Sequence, residues 1–523
     1  MNVNLRFIVI FALLVLSAAA AQEERPALHP VQKLELLRLE KTWNILDQIA
    51  TEVWPEWEGY ADIPFLFDYE NQTRMLVGHP NPPKEFELVD DVKVRNMKVY
   101  IDRTNEVSIE LTWPTLGGGG PIPFGKEDDP HDWVQTVWIT LQSCPQAQEG
   151  KRKYQSEVMI LLYIHELFHC HQSQFYLPYV AGENFSMNAN TNYAVYSDIE
   201  GQALLKAFKE EDIESAMGYL KDFVAARKLK YKDMSRQEQN GEKFIEFMEG
   251  TARYSEFMTL LKIRENYKPK LTSDKNPNFS AFEDINYHIE ERLKYFKMVI
   301  GKTDDIYSKC YEYGCFQALM LDRIADNWQE TIPSRNNYLF DLLVDKLNIR
   351  NRQLRGIKRG LGTRYNIDSL YTKYSQIIQA RDDAFENFDA QKGQKFYVDF
   401  EPIGEIPHVN NTEKESYMKR LPIEKGGIRF VFPEGFGKYT MHEVSIICKE
   451  LPLEHRDLFK IGFVDTKGTG YQVSSSGTSN NIHTDAVVET DGFTLKVPSM
   501  KIVEKDGNVI FSILSKVSTS EQD

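Results

Sequence analysis

Two histidines and a glutamate carry the first chemical signal in this chain. They lie in His165-Glu166-Leu167-Phe168-His169, inside a stretch from Tyr154 to Leu177 that holds no glycine or proline and is bounded by Gly150 and Pro178. The spacing predicts a helix. Side chains four apart on a helix share a face and lie about 6 Å apart along its axis, so both imidazoles can hold one metal ion. Glu166, roughly 100° round from His165, then stands beside the open coordination position. A hydrolytic zinc site needs this arrangement: the ion lowers the pKa of its water to about 7 and polarises a carbonyl, and the carboxylate moves the proton from water to leaving group. Val158, Leu161 and Leu162 run into the two histidines at helical spacing, which predicts that the pair ends an apolar, inward face.

A catalytic zinc takes three protein ligands. The residues after His169 read Cys170-His171-Gln172-Ser173, with no His-x-x-Gly-x-x-His continuation. His171 lies about 200° round from His169 and Cys170 points off the same face, so both read as structural. The third ligand must come from a later element. Glu200, in Ile199-Glu200-Gly201-Gln202-Ala203-Leu204, and Glu249, in Met248-Glu249-Gly250-Thr251-Ala252-Arg253-Tyr254, stand 31 and 80 residues beyond His169. The glycine beside each acid would let its helix approach the histidine helix closely. One of the two is then the ligand and the other a carboxylate that orients a ligand imidazole.

A histidine pair of this form followed by a distant glutamate resembles the gluzincin zinc metallopeptidases, which include thermolysin, the one-zinc aminopeptidases and the bacterial collagenases. In the latter two the third ligand sits in a helix reading Glu-Gly-Thr/Phe-Ala-x-Tyr/Phe, to which Glu249-Gly250-Thr251-Ala252-Arg253-Tyr254 is similar. The resemblance implies one zinc per chain, held by His165, His169 and Glu249 in preference to Glu200, with Glu166 as general base and acid. The interval of 80 residues is longer than those families use and leaves room for an extra helical hairpin containing Glu200. The aminopeptidase signature Gly-x-Met-x-Asn is absent; Gly117-Gly118-Gly119-Gly120-Pro121-Ile122-Pro123-Phe124 occupies the place before the helix where such a substrate-binding edge would lie. The resemblance also implies a later tyrosine or histidine that donates to the developing oxyanion. Tyr311 and Tyr313, some 60 residues past Glu249 in a segment leading into a helix over 316–324, are the candidates. Cys310 and Cys315 flank them and could bridge a turn in an oxidising compartment.

The elements that must position these residues read as an α+β chain. Residues 1–21 have a polar start with Arg6, an apolar run over 7–16 and a small-residue stretch, which is the pattern of a cleavable signal peptide and implies a secreted or periplasmic protein with no membrane anchor in the mature chain. Over 22–150 a helix from about 30 to Trp54-Pro55 precedes strand-like segments at 92–100, 107–113 and 133–141, with the cluster 117–125 as punctuation between them. This predicts a small mixed sheet beside the site. Helical periods dominate 151–392, and with the resemblance they imply a zincin-like catalytic region. Over 393–523 strands return, ending in 493–503 and 509–514 joined across Asp506-Gly507, a hairpin signal. That C-terminal all-β domain is a candidate surface for protein or glycan contact. Asn71, Asn184, Asn278 and Asn410 begin N-x-Ser/Thr sequons.

Composition bounds the rest. The chain has 523 residues, enough for two or three domains, and a formal charge of −15 without a local basic patch, which excludes a nucleic-acid binder that works by phosphate neutralisation. Five cysteines in 523 residues are too few for a disulfide scaffold. The expected activity is hydrolysis of a peptide or protein substrate. Two alternatives stand beside it: a peptidase-like binding or adaptor protein without turnover, and a zinc hydrolase of a non-peptide amide or ester. Glu166 argues against the first, because a scaffold needs no general base.

Overall fold

The computed structural model describes residues 28–514 apart from 70–71, 103, 105–114, 127–132, 144–154, 174–189, 266–281, 303–305, 333–337, 391, 400–407 and the short connections between strands after 409. The signal-peptide segment, the strand expected over 107–113, the four sequon asparagines and Cys144 lie outside the described residues. The chain divides into two compact units: residues up to 177 with 255–290, and 178–254 with 291–523.

The first unit opens with helix α1 (Pro30–Val53), which ends where Trp54-Pro55 predicts. Six strands follow: β1 (Phe65–Tyr69), β2 (Thr73–Val77), β3 (Phe86–Val94), β4 (Met97–Asp102), β5 (Thr115–Phe124) and β6 (Val134–Ser143). They form a mixed sheet in the order β3-β4-β2-β1-β6-β5, in which only β1 and β6 run parallel. Two expectations are corrected here. The segment 92–100 is a hairpin rather than a strand: Val94 pairs with Met97 and Arg95 turns the chain at φ +55°. The cluster 117–125 is not punctuation, because Gly117 to Phe124 pair residue for residue with Leu141 to Val134. A strand of four glycines and two prolines survives because it lies at the end of the sheet among the described strands. Pro121 and Pro123 share parity, so their missing N–H groups fall on the unpaired side.

Helix α2 (Gln155–Gln172) packs on this sheet and on α1. Tyr163 meets Phe65 and Phe67 edge-on, at centroid distances of 5.6 and 5.7 Å, and hydrogen-bonds Glu35 of α1, while Arg38 donates to Ser156. Trp54 and Trp57 close on Phe168 from the other side. The helix is thus buried almost all round. Its one open row is Val158, Leu162 and His169: Val158 is 55% exposed, and the other two are half-buried. The stripe through Val158 and Leu162 does run into His169, but it is not the inward face expected: it is the most accessible row of the helix.

The second unit contains α3 (Thr191–Lys209) and α4 (Ile213–Lys230), the extra helices between the histidines and Glu249. Helix α5 (Arg236–Glu265) follows; it is unbroken, and the division between units falls within it, after Tyr254. After α6 (Ile285–Val299) come α7 (Ile306–Ile324), α8 (Leu339–Leu347), α9 (Asn351–Tyr365) and α10 (Ile367–Ala390). The strands beyond 393 form one sheet. In it Phe493–Lys505 and Asn508–Ile513 make the expected two-residue hairpin, with Gly507 at φ +76°, and Gln394–Asp399 runs parallel to the last strand. The molecule is α+β: an N-terminal sheet, a helical middle and a C-terminal sheet. No helix among the described residues is long and apolar enough to cross a membrane.

Candidate metal centre

The two histidines of α2 turn their Nε2 atoms toward each other at 3.1 Å. Each ring is held from behind. Nδ1 of His165 lies 2.8 Å from Glu256 Oε1, and Nδ1 of His169 lies 2.6 Å from Gln172 Oε1. A carboxylate and an amide oxygen only accept, so each ring in its neutral form carries its proton on Nδ1 and presents the Nε2 lone pair to the same point. Two lone pairs at 3.1 Å repel unless something electrophilic lies between them. Two nitrogens bound at 2.0–2.1 Å in a tetrahedral site stand about 3.3 Å apart, close to the spacing found.

Glu256 is carried by α5, two turns beyond Glu249 and so on the same side of that helix. Ligand atoms of His165, His169 and Glu249 all lie within 4.8 Å of one another, and this is the one group among the described residues able to hold a metal ion. His165 is buried, and His169 and Glu249 are half-buried. The donor set of two neutral imidazoles and one carboxylate suits zinc chemically. Glu256 was not expected as a site residue. Its sequence signal is the seven-residue interval from Glu249, which repeats one helix face.

Glu166 is buried on α2 next to His165. Its neighbour across the sheet is Gly119 of β5: a Cβ placed on Gly119 would come 3.5 Å from Glu166 Cγ, and 2.4 Å from the carbonyl oxygen of Trp138. The glycine run therefore lets the end strand lie against the helix at the level of the glutamate. His79 fixes the far end of that strand, accepting from the Asn81 N–H at Nδ1 and donating from Nε2 to Phe124 O at 3.0 Å.

Cys170 and His171 hold the structural roles expected of them. Burial, with Glu166 nearby, pushes the Cys170 thiol up to about 12, and the group of ligand atoms around His165 does not include it. Burial against Trp57 and Phe168 pushes His171 down to about 4.

Other expected site residues are placed elsewhere. Glu200 is fully buried within the second unit, where its Oε2 accepts from Arg227 at 2.7 Å and Lys230 at 2.8 Å. Two cations already compensate this carboxylate, which corrects its reading as the alternative ligand. Tyr313 is buried and its hydroxyl donates to Ser197 O at 2.7 Å, so it is committed to packing α7 on α3 rather than to an oxyanion. Tyr311 is half-buried on α7 with the Arg253 guanidinium 5.5 Å over its ring. Cys310 and Cys315 lie five apart on the continuous helix α7, about 140° round from each other, and do not bridge a turn. The two glycines also face another way than expected. A Cβ on Gly201 would strike Tyr313, and one on Gly250 would strike Gly314; both make room for α7, not for the histidine helix.

Compared with known proteins, the chain matches no family model, no curated protein and no solved structure.

Proposed function

We propose that this protein is a secreted zinc-dependent hydrolase of peptide bonds of gluzincin type, with zinc held by His165, His169 and Glu249. The observation that carries the reading is the pair of Nε2 lone pairs converging at 3.1 Å, with both Nδ1 protons committed to acceptors behind them. When bound, zinc supplies a Lewis acid that polarises the scissile carbonyl and makes water acidic enough, at a pKa of about 7, for a carboxylate to deprotonate it. Glu256 and Gln172 keep the two imidazoles in the tautomer that leaves Nε2 free to coordinate. Glu166 takes the proton from water and returns it to the departing amine nitrogen. A peptide needs to be held extended past this point. Strand β5 supports that, because Gly117 and Gly119 have the parity that turns their backbone groups outward at the end of the sheet.

Retention of a glutamate beside the histidines favours turnover over a binding-only role. The test is metal analysis and hydrolysis of unfolded protein substrate by the purified chain. One zinc per chain is expected, and Glu166→Gln should keep the metal while lowering kcat at least 100-fold. A protein that takes up no zinc, or a Glu166→Gln variant as active as the wild type, ends the reading.

A further inference from the structure

The segment Glu249 to Tyr254 contacts α7 along most of its length. Immediately before it, the Glu246 carboxylate accepts from Gln317 of α7 at 2.9 Å and from both Nη atoms of Arg227 at 2.5 and 2.6 Å. Its backbone carbonyl lies so close to Gly314 that a Cβ there would stand 1.9 Å from the oxygen. Gly250, one residue after the ligand, crosses the same glycine: a Cβ on Gly250 would come 2.4 Å from Gly314 Cα. Farther on, Arg253 faces Glu312 at 3.4 Å, and the Tyr254 hydroxyl donates to Asp322 at 2.9 Å. Four positions from 246 to 254 thus grip α7, and the α7 residues they meet are Glu312, Gly314, Gln317 and Asp322.

We infer that α7 positions the third ligand, and that Gly314 is the positioning residue on which Glu249 depends; this rests on the zinc reading above. Glu246, Gly250, Arg253 and Tyr254 cover one side of α5, and Glu249 projects about 90° round from it. Any turn of α5 against α7 therefore swings the carboxylate sideways. A carboxylate some 6 Å from the helix axis moves about 2 Å for a 20° rotation, whereas metal–ligand distances tolerate about 0.2 Å. Helices packed through ordinary side chains stand 8–10 Å apart, and a glycine-on-glycine crossing brings them closer. A methyl group at Gly314 must push them apart and carry Glu249 away from its place. The glycine and the tyrosine of the Glu249–Tyr254 segment thus acquire a physical role: they set height and rotation of the turn that presents the acid.

Cobalt(II) provides the test, since its visible absorption reports the coordination geometry directly. Wild type, Gly314→Ala, Glu249→Ala and Gly218→Ala are titrated with cobalt, with helix content followed by circular dichroism. Gly218 on α4 has nothing within 4 Å of a Cβ, so Gly218→Ala should match the wild type. Gly314→Ala should stay helical, bind cobalt at least tenfold more weakly, and give a spectrum that moves toward that of Glu249→Ala. A folded Gly314→Ala with wild-type affinity and spectrum overturns the inference while leaving the zinc reading intact. Absence of cobalt uptake by the wild type removes both. If Gly314→Ala does not fold, Tyr254→Phe decides: deletion of one hydroxyl should weaken cobalt binding about threefold, and an unchanged affinity overturns the inference.

Discussion

Glu200 and Glu249 show how two acids with the same local sequence come to do different work. Each precedes a glycine in a helix, yet Glu200 ends fully buried between Arg227 and Lys230, and Glu249 half-buried beside two imidazoles. The difference separates in experiment. Glu200→Gln removes a charge from a buried pair, which costs about 3–5 kcal/mol; it should lower the unfolding midpoint strongly and leave zinc stoichiometry at one per chain. Glu249→Gln should lose zinc with little effect on the metal-free protein's stability. A Glu200→Gln protein that folds normally and loses its zinc would reverse the assignment. At this scale the sequence was most legible where the chemistry is local. That His165 and His169 share a face follows from one helix turn, whereas the apolar row leading to them gave the wrong side: it is the open one, not the inward one. Glu256 and Gly119 were hidden because their roles depend on which residues distant in the chain come to lie behind His165 and Glu166. Tyr313 misled for a related reason: its position on a helix was readable, but the partner of its hydroxyl, Ser197 O, was not.

Among the elements, α3, α4, α5 and α7 enclose a buried set of charges: Glu200, Glu242 and Glu246 against Arg227, Lys230 and Lys309. Lys309 donates to Ser197 Oγ at 3.0 Å, and burial pushes its ammonium down to about 8, with Lys230 adding to the effect. In the unfolded chain the same group titrates near 10.4. Between these values the unfolded chain keeps a proton that the folded protein has released, so this group makes stability rise with pH over that window, and below about pH 8 its burial cost is fully present. Urea midpoints measured from pH 7.5 to 10.5 should contain this rise, and Lys309→Met should remove it. A profile identical in the two proteins would show that Lys309 keeps its ordinary pKa. The helices themselves were readable from long amphipathic periods. Strand β5 was not, because glycine and proline signal a turn wherever the paired neighbour is unknown; its strand state comes from β6, not from its own residues. The hairpin at Arg95 was lost for the opposite reason, since residues of high strand propensity continue on both sides of the turn.

For the molecule as a whole, the sheet, helical middle and second sheet were legible in outline from changes of texture along the chain. The grouping of residues 255–290 with the N-terminal segment was not, because periodicity carries no information about which elements meet. A metal that binds only the folded chain stabilises it by mass action. Zinc at 100 times its Kd should add about 2.7 kcal/mol, read as a higher denaturant midpoint that a chelator reverses. Equal midpoints with and without zinc would mean that no such site forms. The formal charge of −15 should also favour the approach of basic segments of a substrate over acidic ones, an effect that fades as salt rises.

Strand β5 has a consequence for the protein's life in solution. An exposed strand edge is a template on which other chains can add and fibrils can start. Here the end strand is made of Gly117 to Gly120 with Pro121 and Pro123, residues of poor strand propensity, and the two prolines remove every second donor along its outer half. Such an edge can accept a short extended visitor near the glycines and cannot propagate a ladder. An edge strand beside the histidine helix is thereby kept available to transient partners and closed to permanent ones.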